Sequence, residues 1–121
     1  MNFEDISIGT DIEKIERFEK YASDKNAPLV RRIFTEGEIE YCYSFKNPAQ
    51  HLTVRFCAKE AVYKALSVLG IDGIDYSDIE VVRNSDGVPS IKLLKEKNVD
   101  FRLSLSHGSG SAVASVIAIK K

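Results

Sequence analysis

One uninterrupted helical stripe runs from Gln50 to Leu69, and it limits what this chain can fold into more than any other segment. Leu52, Phe56, Ala61, Val62, Ala65 and Leu66 recur at three- and four-residue spacing, no glycine or proline breaks the run, and Gly70 follows as a C-terminal cap. With 121 residues the chain is a usual size for one domain, so a single domain over residues 1–121 is expected.

The flanking segments supply the other elements. Ile6, Ile8 and Thr10 alternate with Ser7, Gly9 and Asp11, which predicts a short strand ending at Asp11. Ile12, Ile15 and Phe18 then predict a helix, placing Asp11 near a helix start, where a carboxylate is favoured. Thr35 and Glu38 read as a capping box opening a helix to about Phe45, and Asn47-Pro48 ends it or begins a turn. Beyond Gly70 the period changes to two. Ile79–Val82 and Ser90–Leu93 flank the turn Asn84-Ser85-Asp86-Gly87 as a hairpin, and a short helix or loop covers Leu94 to Asn98. Two strands follow, through Phe101–Ser106 and Val113–Ile119, joined at Gly108-Ser109-Gly110-Ser111. The class is α+β, with helices packed on a mainly antiparallel sheet.

A formal net charge of -1 provides no global field for nucleic acid or an anionic membrane, so recognition by charge must be local. No apolar run approaches the roughly 18 residues of a membrane span, and MNFEDISIG lacks the layout of a signal peptide, so a cytoplasmic location is expected. Cys42 and Cys57 form neither a CxxC nor a Cys/His cluster and read as buried or idle thiols.

Three places are candidates for chemistry. On the long helix, Glu60 and Lys64 are four residues apart, as are Arg55 and Lys59; spacing alone leaves them open between a solvated face of i,i+4 pairs and a site. Asp11 is either a helix-start carboxylate or, with Glu60 from another element, half of a pair suited to Mg²⁺, which fills its octahedron with waters and phosphate oxygens. Third, Ser104-Leu105-Ser106-His107 ends a strand, where His107 is either structural or one donor among several for an anion. Gly108 to Ser111 reads as a hairpin turn, since phosphate-cradling loops normally precede a helix.

These residues resemble the holo-acyl-carrier-protein synthase group of the 4′-phosphopantetheinyl transferases over nearly the whole chain. That family's opening I-G-x-D-I-x-x-I-x-R is present as Ile8 to Arg17, and its hallmark R-F-x-A-K-E-A-x-x-K-A-L as Arg55 to Leu66. Its R-x-[FL]-T-x-x-E segment matches Arg32 to Glu38, its D/N-G-x-P turn matches Asp86 to Pro89, and its S-[IL]-S-H strand matches Ser104 to His107. Five matches fall in order.

The resemblance implies a 4′-phosphopantetheinyl transferase fold and an enzyme. Its substrates would be coenzyme A and a serine of an apo acyl carrier protein, its released product adenosine 3′,5′-bisphosphate, its cofactor Mg²⁺ and its context fatty acid biosynthesis. Asp11 and Glu60 would hold the metal against the pyrophosphate, with Lys64 beside it. Arg55 and Lys59 would bind the coenzyme's phosphates, Pro89 would border the nucleotide, and His107 would contact its phosphate region. Arg17 would meet the acidic carrier protein, with Lys14, Lys20, Arg31 and Arg32 extending the basic patch. The general base stays open among Glu60, a metal-bound water and another carboxylate. Homotrimers with sites shared between subunits are implied too, and the β-branched residues of the last strands fit burial between subunits.

Two segments depart from the family: Ser67-Val68-Leu69-Gly70 stands where G-T-G is usual, and Gly108-Ser109-Gly110-Ser111 where K-x-Y is common. Two other classes remain in competition. A non-catalytic coenzyme A or nucleotide-binding module would have little need for the two carboxylates, and a regulatory protein docking acidic partners through Arg17 would not bind coenzyme A.

Overall fold

The apolar stripe forms the longest element of the computed structural model, which describes residues 2–121. In chain order the elements are β1 (Ile6–Lys14), α1 (Pro28–Ile33), α2 (Glu36–Tyr43), α3 (Pro48–Val68), β2 (Ile79–Arg83), β3 (Pro89–Leu93), β4 (Val99–Gly108) and β5 (Ser111–Lys120). Short 3-10 helices cover Phe3–Asp5, Ile15–Tyr21 and Tyr76–Asp78. All strand pairs are antiparallel, in one sheet ordered β1-β5-β4 and a separate β2-β3 hairpin. The expected α+β architecture is present, with its strands divided between two sheets.

Pro48 occupies the first turn of α3, where its missing N–H breaks no helical bond. At the other end Gly70, at φ 72°, closes a Schellman cap: its N–H donates to Ser67 O and that of Ile71 to Leu66 O. α3 is buried on most of its circumference. Ala58, Ala61, Val62, Ala65 and Leu66 pack with Ala112, Ala114, Val116 and Ala118 of β5 and with Ile79 and Val81 of β2. A second cluster joins Leu52 and Phe56 to Phe18, Val30, Ile33, Phe34, Ile39 and Cys42. Phe18 is 1% exposed and touches the rings of Phe34 and Phe56, so truncating it to alanine would cost about 3–5 kcal/mol.

The predicted strand and helix around Asp11 need correction. β1 runs past Asp11 to Lys14, pairing Ile12 with Val113 and Lys14 with Ser111, and a 3-10 helix begins only at Ile15. The ladder with β5 overrides the helical spacing of Ile12 and Ile15, so Asp11 stands inside a strand. The faces are also the reverse of what hydrophobicity suggests: Ser7 and Gly9 are buried against α3, while Ile8 and Ile12 point outward. Leu94 to Asn98 forms no helix; Leu94 N–H donates to Asp78 O, tying the exit of β3 to the start of β2. The predicted β2-β3 hairpin and the Thr35–Glu38 capping box are both present.

Candidate functional site

β1 reaches α3 through its smallest residues. Ser7 Oγ donates to Ala65 O at 2.7 Å, and a Cβ on Gly9 would overlap the Ala61 carbonyl, so no larger residue fits between strand and helix. That close approach sets Asp11, two residues on, beside the turn of α3 that carries Glu60 and Lys64. Lys64 Nζ donates to Asp11 Oδ1 and to Thr10 O, each at 3.0 Å. The bond to Asp11 raises the Lys64 pKa, and Glu60 and Glu13 add to the effect. Glu60 Oε1 accepts a 2.7 Å hydrogen bond from the Tyr76 hydroxyl. Burial and that carboxylate push the Tyr76 pKa up to about 12, keeping the phenol a donor. Asp11, Glu60 and Lys64, predicted from distant segments, therefore meet.

Asp11 Oδ2 is buried and has no hydrogen-bond partner. An orphaned carboxylate oxygen is costly unless something cationic occupies it. Among the described residues no group of three or more His, Cys, Asp or Glu is arranged to hold a metal; a pair of carboxylates is the sparse protein ligation that Mg²⁺ accepts.

A second cluster gathers basic side chains that, among the described residues, form no salt bridge. Arg55 is 2% exposed, its guanidinium lies 4.1 Å over the Tyr41 ring, and its Nε is buried without a partner. His51 stacks on Phe45 at 3.8 Å, and burial together with the charges of Arg55, His107 and Arg83 lowers its pKa. His107 Nε2 lies 3.2 Å from Gln50 Nε2. Pro89 is the register partner of Arg83 at the end of the hairpin, which carries it to the same end of the molecule. Arg55 from α3, Arg83 from β2 and His107 from β4 thus lie around His51, where an anion would find donors.

Lys59 does not join them, which corrects its assignment to phosphate binding. Its side chain is fully buried and its ammonium spends its three hydrogens internally, on Glu38 Oε1 at 2.7 Å, Tyr76 O at 2.8 Å and Ile79 O. Burial pulls its pKa down and Glu38 opposes the pull. Glu38 is saturated as well, accepting from Thr35 N–H and Val81 N–H. The i,i+4 spacing with Arg55 is real, but Lys59 faces the core and ties α2, α3, β2 and the Tyr76 turn together.

Arg17 is exposed in the 3-10 helix after β1, held by Glu13 Oε1 at 2.9 Å and lying 4.8 Å over the Phe56 ring. Glu13 is two residues from Asp11 on the same strand face, and burial and Asp11 raise its pKa. An open cleft of about 840 Å³ lies beside α3, lined by Arg32, Tyr63, Ser67, Gly70, Asp75 and Tyr76 among others. The Ser67–Gly70 departure therefore forms part of a cleft wall. The Gly108–Ser111 departure is a two-residue hairpin turn, with Ser109 and Gly110 at φ 53° and 79°.

Sequence reading missed Tyr76, Gln50, Arg83 and Glu13. No local spacing marks the first three, since each reaches the site through tertiary contacts. Glu13 was legible only as the other member of an alternation with Asp11.

Residues 7–117 match the family described as the 4′-phosphopantetheinyl transferase superfamily. A holo-[acyl-carrier-protein] synthase of Geobacter sp. (strain M21) is 47% identical over 117 residues, covering 90% of this chain and 94% of that protein. One from Thermodesulfovibrio yellowstonii is 41% identical over 110 residues, covering 91% and 95%. Among solved structures, the Bacillus anthracis holo-(acyl-carrier-protein) synthase in complex with CoA (3′,5′-ADP) superposes with a TM-score of 0.79 at 30% identity, covering 95% of this chain and 96% of that one. The Helicobacter pylori enzyme in complex with coenzyme A gives 0.77 at 32% identity, covering 92% and 98%. The chain belongs to the 4′-phosphopantetheinyl transferase superfamily and, within it, to the holo-[acyl-carrier-protein] synthases.

Proposed function

We propose that this enzyme transfers the 4′-phosphopantetheine arm of coenzyme A to a serine of an apo acyl carrier protein, in the cytoplasm and in support of fatty acid biosynthesis. The observation that carries the reading is the meeting of Asp11 from β1 with Glu60 and Lys64 from α3, in a chain whose relatives are holo-[acyl-carrier-protein] synthases. The serine oxygen attacks the β-phosphorus of coenzyme A, the bond from that phosphorus to the bridging oxygen breaks, and adenosine 3′,5′-bisphosphate leaves. Such a transfer is dominated by positioning and charge neutralisation.

Asp11 and Glu60 are the residues that would hold Mg²⁺, and the orphaned Asp11 Oδ2 fits that role. Bound there, the ion supplies positive charge against the pyrophosphate. Lys64 carries an exposed ammonium on a flexible stem, able to turn from Asp11 toward phosphate oxygens. Arg55, whose Nε has no partner, holds the nucleotide's phosphates together with His107 and the hairpin end at Pro89. The serine proton passes to a base at this cluster, for which Glu60, another carboxylate and a metal-bound water are the candidates. Lys59 supports the site from beneath.

Arg17, with exposed Lys14 and Lys20 nearby, offers a basic surface to the acidic carrier protein beside the carboxylate pair. A homotrimer belongs to the same proposal. The outer sheet face exposes Ile8 paired with Ile117 and Ile12 paired with Val113, from 37% to 73% exposed, an apolar surface suited to burial against a second copy.

The test is the intact mass of an apo acyl carrier protein after incubation with this enzyme, coenzyme A and Mg²⁺. A gain of one phosphopantetheine, lost with Glu60→Ala and without metal, is expected. No gain with several carrier proteins, from folded protein that binds coenzyme A, would leave a binding module.

A further inference from the structure

We infer that the Tyr76 hydroxyl is a positioning group for Glu60, holding one carboxylate oxygen so that the other is presented to the metal; this rests on the metal-binding reading of Glu60 given above. Tyr76 is fixed from three directions. Its carbonyl accepts from Lys59 Nζ at 2.8 Å, its ring lies 5.7 Å from Phe56 and 6.1 Å from Tyr63, and its hydroxyl donates to Glu60 Oε1 at 2.7 Å. Lys59 and Glu60 are consecutive on α3. The core-facing residue therefore anchors the backbone of Tyr76 while its outward neighbour receives the hydroxyl, and the two bonds brace one short loop against one turn of helix.

The consequence is specific to the carboxylate. A glutamate has three side-chain torsions, and a flexible ligand must give up that freedom when it coordinates. Among the described residues the Tyr76 hydroxyl is the recorded hydrogen-bond partner of the Glu60 carboxylate, and it takes Oε1 alone. Oε2 is left for coordination, as Oδ2 is left on Asp11. Groups that orient metal-binding side chains in this way typically contribute 10–100-fold in metal affinity. Tyr76 also lines the 840 Å³ cleft.

Tyr76→Phe tests the inference, because it removes the hydroxyl and keeps the ring packing and the Lys59 contact. Mn²⁺ is titrated into the folded protein in the presence of coenzyme A and followed by electron paramagnetic resonance. The expected result is metal binding weakened about 10-fold or more, with Tm and coenzyme A affinity near wild type. In a Glu60→Ala background the same change should have no further effect, a non-additivity that a merely structural role would not produce. Unchanged or tighter Mn²⁺ binding by Tyr76→Phe, while Glu60→Ala and Asp11→Ala both weaken it, overturns the inference and leaves the metal site standing. Mn²⁺ binding indifferent to Asp11→Ala and Glu60→Ala overturns the metal-site reading and this inference with it.

Discussion

Lys64 Nζ stands 3.0 Å from Asp11 Oδ1, so before any substrate arrives the ammonium already neutralises one of the two carboxylates that would hold the metal. Removing that cation separates its two effects. Lys64→Met should lower kcat by roughly 10²–10³, the usual cost of losing one preorganised charge at a reacting centre. Mn²⁺ affinity should hold or tighten, because a competitor for Asp11 has gone. Parallel losses of kcat and metal affinity would instead make Lys64 a structural support of the metal site.

The Lys59–Glu38 pair is expected to govern stability rather than coenzyme binding. Lys59→Met leaves a buried carboxylate without its counter-charge, which costs about 3–5 kcal/mol. Glu38→Gln with Lys59→Met should cost less than the sum of the single changes, measured by denaturant unfolding. Coenzyme A affinity of folded Lys59→Met should stay near wild type. A loss of about tenfold or more, ~1.4 kcal/mol, would return Lys59 to the phosphate site.

Arg55 should behave in the opposite way. Its Nε is buried without a partner, so Arg55→Met relieves a desolvated cation in the empty protein, and Tm should not fall. Charge-assisted bonds to a phosphate contribute about 1.5–3 kcal/mol, so coenzyme A affinity should drop by roughly 10–100-fold. Calorimetric titration against unfolding curves separates the two effects.

His51 gives the pH dependence. Its pKa in the folded protein lies below the ordinary 6.5, through burial first and then the charges of Arg55, His107 and Arg83. Between the folded value and 6.5 the unfolded chain binds more protons, so stability rises with pH across that window. The contribution is present above 6.5 and is lost as pH falls toward the folded value. His51→Gln should flatten that part of the stability profile, followed by unfolding between about pH 5 and 8. Adenosine 3′,5′-bisphosphate should bind the wild type more tightly at the acid end, because the anion favours the charged ring.

How much was legible in the sequence depended on whether a residue's role was local. α3, its Gly70 cap, the Thr35–Glu38 box and the β2-β3 hairpin are set by spacing and cap chemistry within a few residues, and all formed as read. Asp11, Glu60, Lys64, Arg55 and His107 were legible as motif positions, and the fold brought the first three into one place and the last two into another. Periodicity misled at Ile12 and Ile15, because pairing with β5 is a long-range contact that local spacing does not contain.

The sequence by itself therefore determined the class, the elements with strong local signals and the residues able to do chemistry. Tertiary structure alone decided which way they face. It sent Lys59 to Glu38 in the core and left Arg55, four residues earlier on the same helix, over Tyr41 with a buried, partnerless nitrogen. It turned Ser7 and Gly9 inward and Ile8 and Ile12 outward, since only small residues admit α3 so close to β1. It also set the Tyr76 hydroxyl on Glu60. Each of these outcomes depends on partners 14 to 58 positions away, and the free energy of such contacts exists only once the elements have packed.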